Sequence, residues 1–194
     1  SGECDIMRRY CQNSDTLLKE RATEIQTVRL CLRTISDRDR DHLIALLTNH
    51  EIKKTFMVPE LKTTSEQMQM FEVLKEMSHS PQHFVRGIYL HDDLIGFLND
   101  VEIDGKEIEI GYVIHPSKKN QGYMTEALNA AIPAMFDAGY SIVRARAFEE
   151  NTASIRVMEK CGMHETTKTE EIAYNGNMHT VSSSKWKRHS MHSQ

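Results

Sequence analysis

No stretch of this 194-residue chain carries the ~18 consecutive apolar residues that span a bilayer, and no charged-then-apolar leader opens it. Membrane spanning and secretion are not expected; a cytoplasmic protein is. Cysteine is scarce. Cys4, Cys11, Cys31 and Cys161 form no CxxC pair and have no histidine at metal-ligand spacing, so neither a zinc site nor a disulfide framework is indicated. Thiols in a reducing compartment and no bound metal are the expectation. The few glycines build neither a G-x-G-x-x-G dinucleotide pattern nor a phosphate loop ending in Gly-Lys-Ser/Thr. No Gly-x-Ser-x-Gly elbow occurs, so a covalent serine intermediate is not indicated. Charge of one sign is missing too: Lys+Arg 24 against Asp+Glu 28 gives a net charge of −4 and no general pull toward nucleic acid. Positive charge should matter only where it clusters.

One such cluster lies inside the stretch around which the chain is organised. Glu107 to His115 reads as a strand, Pro116 to Gln121 as a turn carrying Lys118 and Lys119, and Gly122 to Asp137 as a helix. A helix that opens beside a basic turn aims unpaired N–H groups and a positive dipole end at one spot, which suits a phosphate. Lys119, Asn120, Gln121, Gly122, Tyr123 and Met124, with Thr125 in the first turn, form a candidate pyrophosphate cradle. Glycine at position 122 leaves the amides uncovered. The plainer reading, a solvated lysine-rich connection, stands beside it.

These residues resemble the GNAT superfamily of acyl-CoA-dependent N-acetyltransferases, whose signature is Gln/Arg-x-x-Gly-x-Gly/Ala between strand and helix. Lys119 stands at the Gln/Arg position, Gly122 matches, and Met124 replaces the final small residue. The runs YVIHPSKKNQGYMTEAL and NTASIRVMEKCGM are similar to the branch containing ribosomal-protein N-terminal acetyltransferases, over roughly residues 27 to 187. The resemblance implies an α/β (α+β) GNAT fold. Its central sheet should be mixed but mostly antiparallel, with about six to seven strands, one parallel pair and flanking helices. It also implies acetyl-CoA as co-substrate and an amine acceptor, either a peptide N-terminus or a small amine. No nucleic-acid or membrane partner is expected, and a homodimer is open.

At this length a single domain burying about 70% of its unfolded surface is expected, over residues 25–188. Residues 1–24 read as an added helical arm, with Ser14 or Asp15 available as a cap, and residues 189–194, with His189 and His192, as a polar tail. Thr27 to Arg33 alternates Val28, Leu30 and Leu32 against Arg29, Cys31 and Arg33, the pattern of a half-buried strand. Ser36 caps a helix with Leu43, Ile44, Leu46 and Leu47 on one side, and Thr63-x-x-Glu66 opens another bearing Met70, Phe71, Leu74 and Met77. The family likeness makes these helices one wall of the acceptor cleft and the loop Glu51 to Lys62 a candidate for substrate choice. Met57, Met68 and Met70 suit either an adaptable pocket or ordinary packing.

Three strands joined by hairpins follow: Phe84–Leu90, Leu94–Ile103 and Ile108–His115. The helix after Gly122 leads into a strand Ile142–Phe148, which requires a parallel pair. Pro133 should kink or shorten that helix. Asn151 begins the next helix, Gly162 ends it, and a last hairpin turns at Asn175-Gly176, its strands at about 164–173 and 178–187 taken mainly from the resemblance.

Among candidate chemical groups, Glu109 lies in a strand whose other face is apolar, where a carboxylate needs a cavity or a partner. Either Glu107 and Glu109 share one solvated face, or, as the resemblance implies, Glu109 is the general base, with Glu107 the runner-up. Tyr112, Val113 and Ile114 would offer backbone groups to the pantetheine arm and the reacting carbonyl. Asn151 is either a plain N-cap or, by the resemblance, a partner of the arm, with Ser154 near the sulfur. No tyrosine lies in this helix, so Ser154 or water is the candidate acid for the departing thiolate. Acetyl transfer to a primary amine leads. A small-molecule acetyltransferase (polyamine, amino acid or antibiotic) and a non-catalytic acyl-CoA-binding module are the alternatives.

Overall fold

The structure, a computed structural model, describes residues 24–188; the expected arm, apart from Glu24, and the tail lie outside the described residues. One mixed sheet of eight strands runs in the order β1-β2-β3-β4-β5-β6-β8-β7. The strands are β1 (Ile25–Gln26), β2 (Leu30–Arg33), β3 (Arg86–Leu90), β4 (Asp93–Asp104), β5 (Glu107–Ile114), β6 (Ile142–Phe148), β7 (His164–Tyr174) and β8 (Asn177–Lys187). All neighbours are antiparallel except β5 and β6. The helices are α1 (Arg40–Thr48), α2 (His50–Lys53), α3 (Thr64–His79), α4 (Tyr123–Asp137) and α5 (Thr152–Lys160).

Alternation along the strands divides the core in two. Ile108, Ile110 and Ile114 of β5 meet Ala127, Leu128, Ala131 and Met135 of α4, with Met158 of α5. Val113, on the other face, joins Phe97, Leu43, Leu47, Phe71 and Leu74 under α1 and α3. Each fully buried large side chain removes enough apolar surface to contribute about 1.5–3 kcal/mol. The capping box at Thr63 and Glu66 starts α3 as expected, both of its hydrogen bonds being present.

The expected GNAT-type mixed sheet is present, with eight strands rather than six or seven. The extra one arises at the start of the described residues, where the continuous strand expected over Thr27–Arg33 is broken. Thr27 N–H and its hydroxyl both reach Leu30 O, folding Val28 and Arg29 into a tight turn between β1 and β2. Val28, expected to point inward, is 97% exposed. One further expectation is narrowed and another corrected. Of the two effects expected of Pro133, shortening does not occur, since α4 runs on to Asp137. The loop Glu51 to Lys62 begins as helix α2, capped by the Asn49 side chain, which accepts from Glu51 N–H and Ile52 N–H.

Candidate active site

Strand β5 pairs with β6 only from Glu107 to Glu109, opposite Ile142 to Arg144. Beyond that point β6 stays with β8 as far as Phe148 while β5 stays with β4, so the two parallel strands part. The backbone of Ile110 to Ile114 on that edge faces a gap instead of a neighbouring strand. A cavity of about 750 Å³ fills the gap and runs on in both directions.

At one end stands the N-terminus of α4. Gly122 is its N-cap in the left-handed region (φ 79°), and the intrahelical ladder begins with Glu126 N–H donating to Gly122 O. The amides before it have no acceptor within the helix. Lys118, Lys119, Asn120, Gly122, Tyr123, Met124 and Thr125 line this end, joined by Arg156 and Lys160 from α5. Gln121 does not line it; its carbonyl accepts from Arg29 Nη1 at 2.9 Å. The Met124 side chain is buried in the core, so a large residue is accommodated at a position expected to be small.

Arg29, which is not in the cavity wall, stands beside this end in a place that the strand pattern hid. The tight turn that breaks the first strand throws it across α4. There its Nε pairs with Glu126 at 2.7 Å and its guanidinium lies 4.3 Å from the Tyr123 ring centre. Burial works to raise the Glu126 carboxyl, but the Thr27 hydroxyl, the Arg29 amide and the Arg29 guanidinium outweigh it and hold the group below its ordinary value. This anchor is therefore present above the ordinary carboxylate range and is lost as pH falls through the lowered value.

In the middle, Asn151 caps α5: its Oδ1 accepts from Ser154 N–H at 3.2 Å. Its Nδ2, which can only donate, lies 3.0 Å from Ser154 Oγ, so the Ser154 hydroxyl accepts there and its own proton is free to go elsewhere. No tyrosine belongs to α5, yet one reaches it. Tyr112 crosses from β5 and donates to Ser154 O at 3.0 Å. Burial raises the phenol well above its ordinary value, so it stays protonated and ties the strand to the helix. Cys161 is buried behind α4 with its thiol pushed up to about 11 by burial, and it packs as an uncharged side chain.

At the far end, Glu109 forms part of the floor at only 3% exposure. It is paired, not solvated. Arg144 Nε and Nη2 reach Oε2 at 2.9 and 2.8 Å, and Arg146 Nε reaches Oε1 at 2.8 Å. The pairs extend sideways, Arg144 to Glu102 at 2.7 Å and Arg146 to Glu170 at 2.9 Å. Glu107, the alternative base, is not in the cavity wall and binds Arg144 and Lys185, each at 3.0 Å. Nothing in the polar alternation of β6 signalled this ladder, because it forms only once β4, β5, β6, β8 and β7 lie side by side.

The roof here is the segment Thr55 to Pro59, with Phe56 and Met57 facing the cavity beside Met70 and Leu74; Met68 is not among the lining residues. The hairpin at the opposite edge of the sheet holds it. Tyr174 Oη lies 2.7 Å from Lys53 O and 3.1 Å from Phe56 O, and Asn175 Nδ2 donates to Lys53 O at 3.3 Å. One cavity thus joins twelve of the sequence-selected residues, Glu109, Tyr112, Val113, Ile114, Asn151 and Ser154 among them, to the roof, Arg146, Asn99 and Asp100. Among the described residues no group of His, Cys, Asp and Glu could hold a metal ion, and no helix is long and apolar enough to cross a membrane.

Residues 29–164 match the family model described as "Acetyltransferase (GNAT) domain". The uncharacterized N-acetyltransferase YnaD of Bacillus subtilis is 30% identical over 141 residues, covering 72% of this chain and 81% of YnaD. YoaA of the same organism, also described as an uncharacterized N-acetyltransferase, is 27% identical over 143 residues, covering 71% of this chain and 81% of its own length. The solved structure of RimL, a ribosomal L7/L12 alpha-N-protein acetyltransferase in complex with coenzyme A, superposes with a TM-score of 0.76 at 18% identity, over 84% of this chain and 97% of that one.

Proposed function

The chain belongs to the GNAT acetyltransferase family, and from that premise we propose that it passes acetyl from acetyl-CoA directly to a primary amine, the α-amine of a peptide being the favoured acceptor. The parting of β5 from β6 beside the basic end of α4 carries this reading. An unpaired strand edge suits an extended, amide-bearing arm, and the helix end suits the diphosphate at the other end of such an arm. Acetyl-CoA would supply the activated acetyl group. Lys118, Lys119, Arg29 and the amides from Gly122 to Thr125 would hold its phosphates, and the β5 edge from Ile110 to Ile114, with the end of α5, its pantetheine.

The amine nitrogen adds to the thioester carbonyl, the C–S bond breaks, and the products are an amide and a free thiol. Backbone N–H groups on the β5 edge stabilise the charge that develops on the carbonyl oxygen. The proton lost by the amine passes to Glu109, directly or through water. Three guanidinium bonds occupy three of the four acceptor positions of a carboxylate and leave one, on Oε1. Ser154, whose hydroxyl proton is not used by Asn151, would give it to the departing thiolate. The likeness to RimL, a ribosomal L7/L12 alpha-N-protein acetyltransferase, supports a peptide acceptor.

A second reading has an observation of its own. A carboxylate tied to two arginines suits a structural ion pair, and hence a module that binds acyl-CoA and transfers little. Thiol release from acetyl-CoA, measured with N-terminally free peptides, lysine, putrescine and an aminoglycoside, separates the two. A binder saturates with CoA and shows no amine-dependent release; preference for a small amine over every peptide removes the acceptor assignment.

Two variant sets test the arrangement. Lys119→Ala should weaken acetyl-CoA binding severalfold, and less in high salt, because an exposed lysine acts as a screened point charge. An equal loss at low and high salt would show that the charge is misplaced. Asn151→Ala should chiefly raise the Michaelis constant for acetyl-CoA and cost the cap about 1 kcal/mol. Ser154→Ala should lower kcat, and an unchanged kcat would assign the acid role to water.

A further inference from the structure

Asn99 sits on β4 directly opposite Gly111 of β5, on the same face of the sheet as Glu109. Its Nδ2 donates to Asp100 O at 3.2 Å, which fixes the amide so that Oδ1 is turned the other way. Oδ1 is buried and has no hydrogen-bond partner. The spot it faces is defined by what Gly111 lacks. A β-carbon there would stand 3.1 Å from Asn99 Oδ1, 3.1 Å from Val101 Cγ2 and 3.3 Å from Phe56 Cε2. All of these residues line the cavity between the β5 edge and the roof. The fold therefore holds a strong hydrogen-bond acceptor, otherwise walled by apolar groups, over a glycine one residue from where the reacting carbonyl would meet the Tyr112–Ile114 edge. A buried oxygen without a donor is costly, and such atoms call for an explanation.

We infer that Asn99 is the receptor for the incoming amine: Oδ1 accepts one N–H of the acceptor over Gly111, which turns the nitrogen lone pair toward the gap between β5 and β6. The inference rests on the acetyl-transfer reading above and adds to it a residue that orients the nucleophile. The chemistry selects a primary amine, because the nitrogen needs one N–H for Asn99 and another to give up as a proton. The β-bulge at Val101, between Asp100 and Glu102, makes this possible: it brings Asn99, Val101 and Glu102 onto one face, so receptor, apolar wall and ion-pair ladder lie side by side. The apolar neighbours Phe56 and Val101 leave water few other partners there, so the amine competes for this oxygen on favourable terms.

Asn99→Leu keeps the size and removes the acceptor. With an alanyl heptapeptide and with putrescine as amines, its acceptor Michaelis constant should rise about tenfold while the acetyl-CoA dissociation constant stays that of the parent. Its Tm should be unchanged or higher, since a buried unpartnered oxygen is gone; a purely structural asparagine would give the opposite. Asn99→Asp restores an acceptor oxygen but adds a charge that favours the ammonium form. Its acceptor Michaelis constant should return toward the parent's while its pH–rate profile moves to higher pH. An acceptor constant within about twofold of the parent in the leucine variant, or an equal loss of acetyl-CoA affinity, overturns the inference. If the leucine variant does not fold, an unshifted pH–rate profile in the aspartate variant overturns it. A parent protein that binds acetyl-CoA and releases no thiol with any amine overturns the acetyl-transfer reading and this inference with it. A parent that is active beside a fully active leucine variant overturns this inference alone.

Discussion

Gly122→Leu is expected to weaken acetyl-CoA binding at least tenfold while the protein remains folded. The backbone at this position is left-handed, which costs a residue with a β-carbon about 1–2 kcal/mol. For a chain of this size that corresponds to a loss of roughly 2–8 °C in Tm. The space is tight but can yield: an added β-carbon would stand 3.3 Å from Arg29 Nη2, the end of a flexible side chain that can give by a few tenths of an ångström. The leucine body would then stand over the amides that open α4 and displace the guanidinium paired with Glu126. Charge-assisted hydrogen bonds are worth about 1.5–3 kcal/mol each, so losing one already reaches the tenfold level. Gly122→Ala carries the same backbone strain with a smaller obstruction and should bind better than the leucine variant. Unchanged affinity by titration calorimetry in a folded leucine variant would reject the cradle.

Glu109→Gln is expected to lose roughly 10²-fold in turnover at neutral pH, the usual range for an acid–base group. The loss should depend on the acceptor. A lysine-like amine of pKa ≈ 10.4 is under about 0.1% neutral at pH 7, whereas a peptide α-amine near 7.7–8.0 is roughly 10–15% neutral, so the first needs a base more. Activity should recover as pH rises toward about 9, because the amine then arrives deprotonated. Removing one member of a buried ion pair is ordinarily destabilising. Here Arg144 keeps Glu102 and Glu107, and Arg146 keeps Glu170, so the ladder retains compensation and the fold should hold. Acetyl-CoA affinity serves as the control and should not change. A pH–rate profile matching that of the parent would leave Glu109 with the single role of pairing its two arginines.

What the chain determined by itself was local. The strand patterns of Leu94–Ile103 and Ile108–His115, the Thr63/Glu66 capping box, the glycine before α4 and the asparagine before α5 are short-range features, and each specified an element at its observed place. The strand–helix–strand order added that β5 and β6 run parallel, and family likeness added what pattern could not reach, that Gly122 and Asn151 serve one site. Tertiary structure decided the rest. Arg29 looked like the outward member of a strand until Thr27 turned the chain and Glu126 captured its guanidinium. Glu109 read either as part of a solvated face or as a carboxylate in need of a cavity or partner, and only sheet register set it between Arg144 and Arg146, residues whose spacing in sequence says nothing of that meeting. Asn99 carried no signal at all, because an unpartnered oxygen is a property of what surrounds it. Periodicity reports which way a side chain faces along its own strand; charge pairing, burial and cavity shape depend on which strand lies alongside, and that is fixed only when the sheet closes on its two cores.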